Sequence, residues 1–347
     1  MSSNNTYCFS VHHIATDILL PTVIVEFILG LTGNSIALWI FCFHLKTWKP
    51  STVYLLNLVA ADFLLITSLP FRLDYSMRNE DWIFGDVLCR FSLFMLSMNR
   101  TASVCFLSVI TIDRYFKVVH PHHKINKISV VSAAKIACLI WILIFSSSSF
   151  LLSSSYLMSH KNKILCRSFN SHKTFSISAV WHMVVFVTEF FLPLGIILFC
   201  TLRIIWKLKR RRLCKNVKIK RTVNVMIIIV VAFIICFSPS ILAGFAVLII
   251  KTWMRGNCVP FQIATQIFST TILFTYLNSV LDPILYCFMS PSFKSIYKKV
   301  ISFICLCGKK VDENSDSEFR GTISITYSES RRTISITQSN KRTELNE

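Results

Sequence analysis

Negative charge is scarce in this chain. Its 347 residues hold 17 Asp and Glu against 37 Lys and Arg, only 16% are charged at all, and 53% are apolar, with 29 Phe. Ordinary soluble domains carry about a quarter charged residues, so this composition points to a membrane protein. Other absences narrow the function. No cluster of His, Cys, Asp and Glu has metal-ligand spacing, and no nucleophile and base stand at a useful spacing in the apolar stretches, which argues against an enzyme. The apolar stretches contain neither an internal repeat nor the broken segments that build midplane transport sites, which argues against an anion transporter or channel. The N terminus lacks a basic start, a short apolar segment and a small-residue cleavage site; no signal peptide is expected, and the first apolar span is expected to direct insertion.

What is present is a set of seven apolar stretches: Leu19–His44, Val53–Phe71, Val87–Phe116, Val130–Met158, Ser178–Trp206, Val223–Ile250 and Phe261–Phe288. Each reaches the roughly 20 residues a spanning helix needs. The expected fold is an all-α membrane protein, a seven-transmembrane helix bundle over 19–288, with an outer N-terminal segment 1–18, an amphipathic inner-surface helix over 289–304 and a disordered tail over 305–347. Basic residues set the orientation. The segment from Arg203 to Arg221 carries ten Lys and Arg and no acid, and Lys46–Lys49, Lys117–Lys127 and Lys294–Lys299 are basic as well, whereas Arg72–Asp86 holds Asp74, Glu80, Asp81 and Asp86. The positive-inside rule puts the N terminus outside the plasma membrane and the C terminus in the cytoplasm. The net charge of +20 then matches an anionic inner leaflet and membrane lipids; nucleic acid is not an expected partner.

One charge stands out. Arg100 lies midway along the third span, where a guanidinium costs about 2.5–3.5 kcal/mol on insertion scales and persists only against a polar interior or an anion. Cys89 and Arg114 lie 11 and 14 positions away, close to whole turns of the same helix, so one face carries a cysteine, a buried cation and a second arginine. An internal partner for Arg100, such as Glu189, Glu26 or a backbone carbonyl, is the plainer alternative to a ligand anion. On the outer side fall four of the thirteen cysteines, Cys8, Cys89, Cys166 and Cys258, an even number that implies two bridges of open connectivity. Asn4-Asn5-Thr6 is an outer glycosylation sequon, with Asn4 the acceptor.

Asp113-Arg114-Tyr115 closes the third span: an Asp can hold an adjacent Arg in a resting geometry and release it to a partner docking from the cytoplasm. Asp62, Ser103, Asn278 and Asp282 are polar groups that cannot face lipid and together suit waters or a structural sodium ion. Prolines 193, 239 and 283 each remove a backbone donor and allow a helix to pivot. Taken in order, Gly33-Asn34, Leu58-Val59-Ala60-Ala61-Asp62, Asp113-Arg114-Tyr115, Trp141, Pro193, Cys236-Phe237-Ser238-Pro239 and Asn278-Ser279-Val280-Leu281-Asp282-Pro283-Ile284-Leu285-Tyr286 resemble the rhodopsin-like class of G-protein-coupled receptors over about residues 15–300. The resemblance implies that Asp113, Arg114, Tyr115, Pro239, Asp282, Pro283 and Tyr286 form the switch toward the G protein. It also favours a Cys89–Cys166 bridge, leaving Cys8–Cys258.

Longer stretches narrow the resemblance: Ile40 through Ser51, Asp113 through His123, Glu189 through Cys200 and Phe274 through Asn278 are similar to the hydroxycarboxylic acid receptors and the oxoeicosanoid receptor. That likeness implies a carboxylate ligand, signalling through an inhibitory heterotrimeric G protein, and ligand contacts from Arg100 and Tyr276. Asn99 through Ser103 and Leu277 through Pro283 look nearer the oxoeicosanoid receptor; Pro121-His122-His123 and Lys46 through Ser51 look nearer the hydroxycarboxylic group. The hydroxycarboxylic group's extra outer cysteine pair is missing, because Cys8 stands single and Ser168–Phe175 has no cysteine. A looser lid suits a longer tail, so an oxo- or hydroxy-fatty acid is favoured over a small acid such as lactate, hydroxybutyrate or nicotinate.

Some positions depart from the class pattern. Phe237 replaces the usual Trp, Asp282 the usual Asn and Thr201 a frequent Tyr, and Ile219 and Lys220 leave span six without an acid for Arg114. The inactive state is therefore expected to rely on Asp113 and packing, with raised basal activity. His182, beside Trp181, is a candidate ligand or pH contact against the plainer reading of a structural histidine. Trp82 and Phe84 are expected to pack the first outer loop onto the bundle. Phe293, Ile296 and Tyr297 give the helix after span seven its apolar face, and Cys305 and Cys307 are palmitoylation candidates. In the tail, Thr322-Ile323-Ser324-Ile325-Thr326 recurs as Thr333-Ile334-Ser335-Ile336-Thr337, the second copy behind Arg331-Arg332. Phosphorylation of Ser324, Thr326, Thr333, Ser335 and Thr337 by receptor kinases would offer clustered negative charge to an arrestin.

Overall fold

A computed structural model describes residues 13–45, 47–153, 155–160, 163–166, 177–210, 217–253, 258–290 and 293–302. In hydrocarbon every backbone N–H and C=O must bond within its own segment, so long apolar runs become helices. Among the described residues seven helices are long and apolar enough to cross a membrane. They are α1 His13–Trp39, α2 Pro50–Met77, α3 Gly85–Val119, α4 Val130–Ser148, α5 Ile177–Arg210, α6 Val217–Trp253 and α7 Cys258–Met289. A π-helical turn, Ile40–His44, extends α1. Pro50 begins α2, where a missing N–H is harmless, and the Ser129 side chain caps α4 by accepting from Ser132 N at 3.1 Å.

Helix α3 forms the centre, packing against α2, α4 and α5, while α7 joins α1 and α6. Small residues permit the tightest approach: a Cβ on Gly33 would stand 3.0 Å from Pro283 Cγ, so glycine lets α1 meet α7 at its proline. Asn34 Nδ2 then donates to Ser279 O at 2.9 Å, satisfying a carbonyl one turn before Pro283. Trp141 of α4 donates its indole N–H to Asn57 Oδ1 of α2 at 2.8 Å.

Two expected boundaries move. Span two was expected to stop at Phe71, yet α2 runs on to Met77, so Arg72 belongs to the bundle rather than to a loop. Span four was expected to reach Met158, but α4 ends at Ser148, one further turn covers Phe150–Ser153, and Leu157–His160 (β1) pairs antiparallel with Lys163–Cys166 (β2). The serines from Ser146 to Ser149 explain the early stop. Three of them, Ser146, Ser147 and Ser149, bond carbonyls three residues back, and such local bonds compete with helix continuation.

The hairpin docks on the α2–α3 connection. Trp82 N donates to Ile164 O at 2.7 Å, Ile164 N donates to Asp81 Oδ1 at 2.9 Å and Lys163 Nζ donates to Asn79 O at 3.0 Å. The connection bends sharply through Asn79 and Glu80, both with positive φ, and Gly85 at φ 76°. Trp82 is buried as expected, its indole bonded to Gly85 O at 2.8 Å, with Tyr75 and Phe84 edge-on to its ring. Burial at this cluster pushes the Tyr156 phenol pKa up. Beyond α7, residues 293–302 are helical.

Candidate functional site

Arg100 sits on α3 at mid-bundle, in the fourth turn after Cys89. Its Nη2 donates to Glu189 Oε2 at 2.8 Å, and the side chains of Arg100 and Glu189 are 28% and 12% exposed. Of the partners weighed from sequence, the structure selects Glu189 of α5. The carboxylate's other oxygen, Oε1, accepts from Thr101 Oγ1 at 2.6 Å; that hydroxyl also faces Ser97 O at 2.9 Å. Glu189 is the sole acid within α5, so the expense that marked Arg100 marks it too. Thr101 carries no such signal, and sequence reasoning did not assign it to the site.

Around this pair the structure gathers Tyr276 from α7, buried, with Arg72, Glu26 and Arg100 all within electrostatic range. Arg72 also donates to Cys166 O at 3.4 Å, linking the upper bundle to the hairpin. Glu26 of α1 is 6% exposed, and its Oε2 takes no hydrogen bond among the described residues. Above, the Cys89–Cys166 bridge forms as the resemblance implied. Asp86 pairs with Arg90 and accepts from Ser155 Oγ at 2.7 Å, fixing the chain that leaves α4. His182 lies on α5 two turns before Glu189, with its side chain outside the described residues; the side chain of Cys258 and all of Cys8 and Asn4 lie outside them too.

Below the pair is a second polar layer. Asp62, Asn278 and Asp282 come together and are joined by Asn99, Ser279 and Tyr286. Asn99 Nδ2 donates to Ala61 O at 2.9 Å and Ser279 Oγ at 3.3 Å, Asn278 Nδ2 to Asp282 Oδ2 at 3.2 Å, and Tyr286 OH to Asp62 Oδ2 at 3.4 Å. Asp62 Oδ1 and the Oγ of buried Ser103 take no hydrogen bond among the described residues. Two neighbouring buried carboxylates with an unused oxygen suit a shared proton or a hard cation.

Farther down, Asp113 lies 4.0 Å from Arg114 Nε but accepts from Lys117 Nζ at 2.7 Å, so two cations share it. Tyr115 OH meets His120 Nε2 at 3.2 Å. The side chains of Ile219 and Lys220, where an acid for Arg114 was expected to be missing, lie outside the described residues, but other cations tie the inner ends of the helices together. Arg221 of α6 donates from Nε to Phe288 O at 2.6 Å and from Nη2 to Cys287 O at 3.2 Å, gripping the carbonyl end of α7, and Lys207 of α5 donates to Val119 O at 3.0 Å. Cations at helix C-termini meet both the orphan carbonyls and the helix dipole. An aromatic ladder joins the layers: Phe190 stacks on Phe233 at 5.6 Å, and Phe233 meets Phe237, two residues before Pro239, at 5.0 Å. Pro283 and Tyr286 sit on α7 beside α1, where Tyr286 packs on Phe41 and Phe293. Cys305, Cys307, Ser324, Thr326, Thr333, Ser335 and Thr337 lie outside the described residues.

The chain is similar in sequence to known proteins. Residues 33–286 match the family described as 7 transmembrane receptor (rhodopsin family). The human hydroxycarboxylic acid receptor 2 is 46% identical over 297 residues, 85% of this chain and 80% of the relative. The human hydroxycarboxylic acid receptor 3 is 44% identical over 310 residues, 89% and 79% of the two chains. The human oxoeicosanoid receptor 1 is 45% identical over 275 residues, 79% and 70%. With its seven spanning-length helices and these relatives, the chain belongs to the rhodopsin family of seven-transmembrane receptors, and within it to the hydroxycarboxylic acid and oxoeicosanoid receptor type, a multi-pass membrane receptor and not an enzyme.

Proposed function

We propose that the protein binds a carboxylate ligand through Arg100 from outside the plasma membrane and signals through an inhibitory G protein to lower cyclic AMP. One observation carries this reading: the guanidinium of Arg100, in the middle of an apolar bundle, already holds a carboxylate, that of Glu189, at 2.8 Å, and the Arg100 side chain remains 28% exposed. A guanidinium makes charge-assisted, often paired hydrogen bonds to a carboxylate, and these strengthen where water is scarce. Tyr276 and His182 complete the ligand contacts. The relatives support the ligand class, being named for hydroxycarboxylic acids and oxoeicosanoids. An oxo- or hydroxy-fatty acid is the favoured ligand, because the chain lacks the second outer cysteine staple near Ser168–Phe175.

The N terminus is outside, by the basic segments around Arg203–Arg221 and Lys117–Lys127. Asp62, Ser103, Asn278 and Asp282 hold a sodium ion or waters in the resting bundle. Asp113, Arg114 and Tyr115 present the switch to the G protein as α6 and α7 pivot at Pro239 and Pro283. The phosphorylated tail repeat then recruits arrestin. A panel from lactate, 3-hydroxybutyrate and nicotinate to C20 oxo acids, read as lowered cyclic AMP, tests the ligand class. The acids lower cyclic AMP in wild type; an Arg100→Ala receptor that reaches the cell surface and responds normally removes Arg100 from the site. Potency that survives conversion of the acid to its methyl ester counts against the ion-pair mechanism.

A further inference from the structure

We propose that Glu189 is an internal stand-in for the ligand: its carboxylate neutralises Arg100 until an acid takes over that guanidinium, and this competition sets the affinity threshold and restricts the site to acids. The inference rests on the reading of Arg100 as the carboxylate anchor. Its geometry is that of a replaceable partner. Oε2 of Glu189 accepts from Arg100 Nη2 and Oε1 accepts from Thr101, so the carboxylate divides its two oxygens between two donors. A ligand carboxylate that brings both oxygens to Arg100 makes the stronger contact. Arg100 is the more exposed member of the pair, so part of its side chain stays open while Glu189 holds it.

Release strips Glu189 of its countercharge, a cost the incoming acid must exceed and one that sets the threshold, but it does not orphan Thr101. The single Thr101 hydroxyl proton has two acceptors, Glu189 Oε1 at 2.6 Å and Ser97 O at 2.9 Å, and falls back on the second when the first leaves. A neutral ligand gains no such exchange. An ester or amide oxygen cannot replace a full charge, so Arg100 stays on Glu189 and the site rejects it. Displacement also unties α3 from α5 at mid-bundle. The next residue, Phe190, stacks on Phe233, which meets Phe237 just before the Pro239 break, so movement of α5 at Glu189 bears directly on the α6 hinge. Acid binding and helix movement thus become one event.

The full-length receptor in membranes, coupled to an inhibitory G protein, gives the test, with guanine-nucleotide exchange measured against 3-hydroxybutyrate, nicotinate, a C20 oxo acid and the methyl ester of that oxo acid. Glu189→Gln preserves the shape and the hydrogen bonds: its amide oxygen accepts from Arg100, and its NH2 donates to Thr101. Removing the competing charge should move the dose–response of the active acid to lower concentration by roughly tenfold or more, without shifting the ester. An unchanged or higher acid requirement in Glu189→Gln, with a surface-expressed Arg100→Gln/Glu189→Gln receptor silent, overturns the stand-in role while keeping the anchor. A wild type silent to every acid, or an Arg100→Gln receptor that responds like wild type, removes the anchor reading and the stand-in with it. Should Glu189→Gln fail to reach the membrane, Thr101→Val loosens the Glu189 carboxylate without removing it; a shift of a few-fold to lower acid concentration supports the role, and no shift overturns it.

Discussion

Replacing Arg100 by Gln perturbs two things at once, and the structure says how to separate them. At 2.8 Å and an effective dielectric of about 20, the attraction between Arg100 and Glu189 is about 6 kcal/mol before desolvation is charged against it. Removing one partner of a buried pair costs about 3–5 kcal/mol, because the other charge is left uncompensated. Arg100 is 28% exposed, so the lower end, about 3 kcal/mol, is expected. Glu189 would then keep one hydroxyl donor, Thr101, for a full charge. Arg100→Gln should therefore reach the cell surface poorly and melt at least about 5 °C lower in detergent. The double variant Arg100→Gln/Glu189→Gln removes both charges of the pair, and its two amides can bond each other; it should recover to within about 1 kcal/mol of wild type. Neither variant should respond to acids. Surface staining of an N-terminal epitope and thermal melting of the purified receptor provide the measurements. A single variant as stable as the double shows that Glu189 does not depend on Arg100, and a double variant that still responds to acids refutes the anchor.

Arg221→Gln loses a charged grip on the α7 carbonyls at Cys287 and Phe288, where each such bond contributes about 1.5–3 kcal/mol; basal nucleotide exchange should rise by about tenfold, and an unchanged basal rate would mean the grip does not hold α6 closed. Gly33→Val puts carbon against Pro283, where even a Cβ would lie 3.0 Å from Cγ; a loss of about 1–3 kcal/mol should show as a lower melting temperature, whereas a neutral effect would imply that α1 shifts freely on α7. Cys89→Ser removes the bridge to Cys166 that closes a separation of 77 residues and anchors the hairpin; a loss of about 2–5 kcal/mol and falling surface expression are expected, and normal expression under reducing conditions would contradict it.

The sequence alone determined the number of spans, because a 20-residue apolar run admits one solution in hydrocarbon, and it determined that Arg100 needs an anion, because a lone cation there is too expensive. It equally implied the polar layer of Asp62, Asn278 and Asp282, since such groups cannot face lipid. Only the tertiary structure decided which acid answers Arg100. Glu26 and Glu189 both lie in apolar spans, and helix packing brings Glu189, 89 residues away, to Nη2 while Glu26 settles near Tyr276. Periodicity along one helix carries no information about its rotation against another, which is why Thr101, Arg72 and Arg221 escaped the sequence reading. The serine-rich end of α4 and the β1–β2 hairpin escaped for a different reason: apolar residues such as Leu157 and Met158 extend a hydropathy run whether they form a helix or a strand. Arg100 was legible as a demand for a carboxylate; the fold supplied the one that waits there.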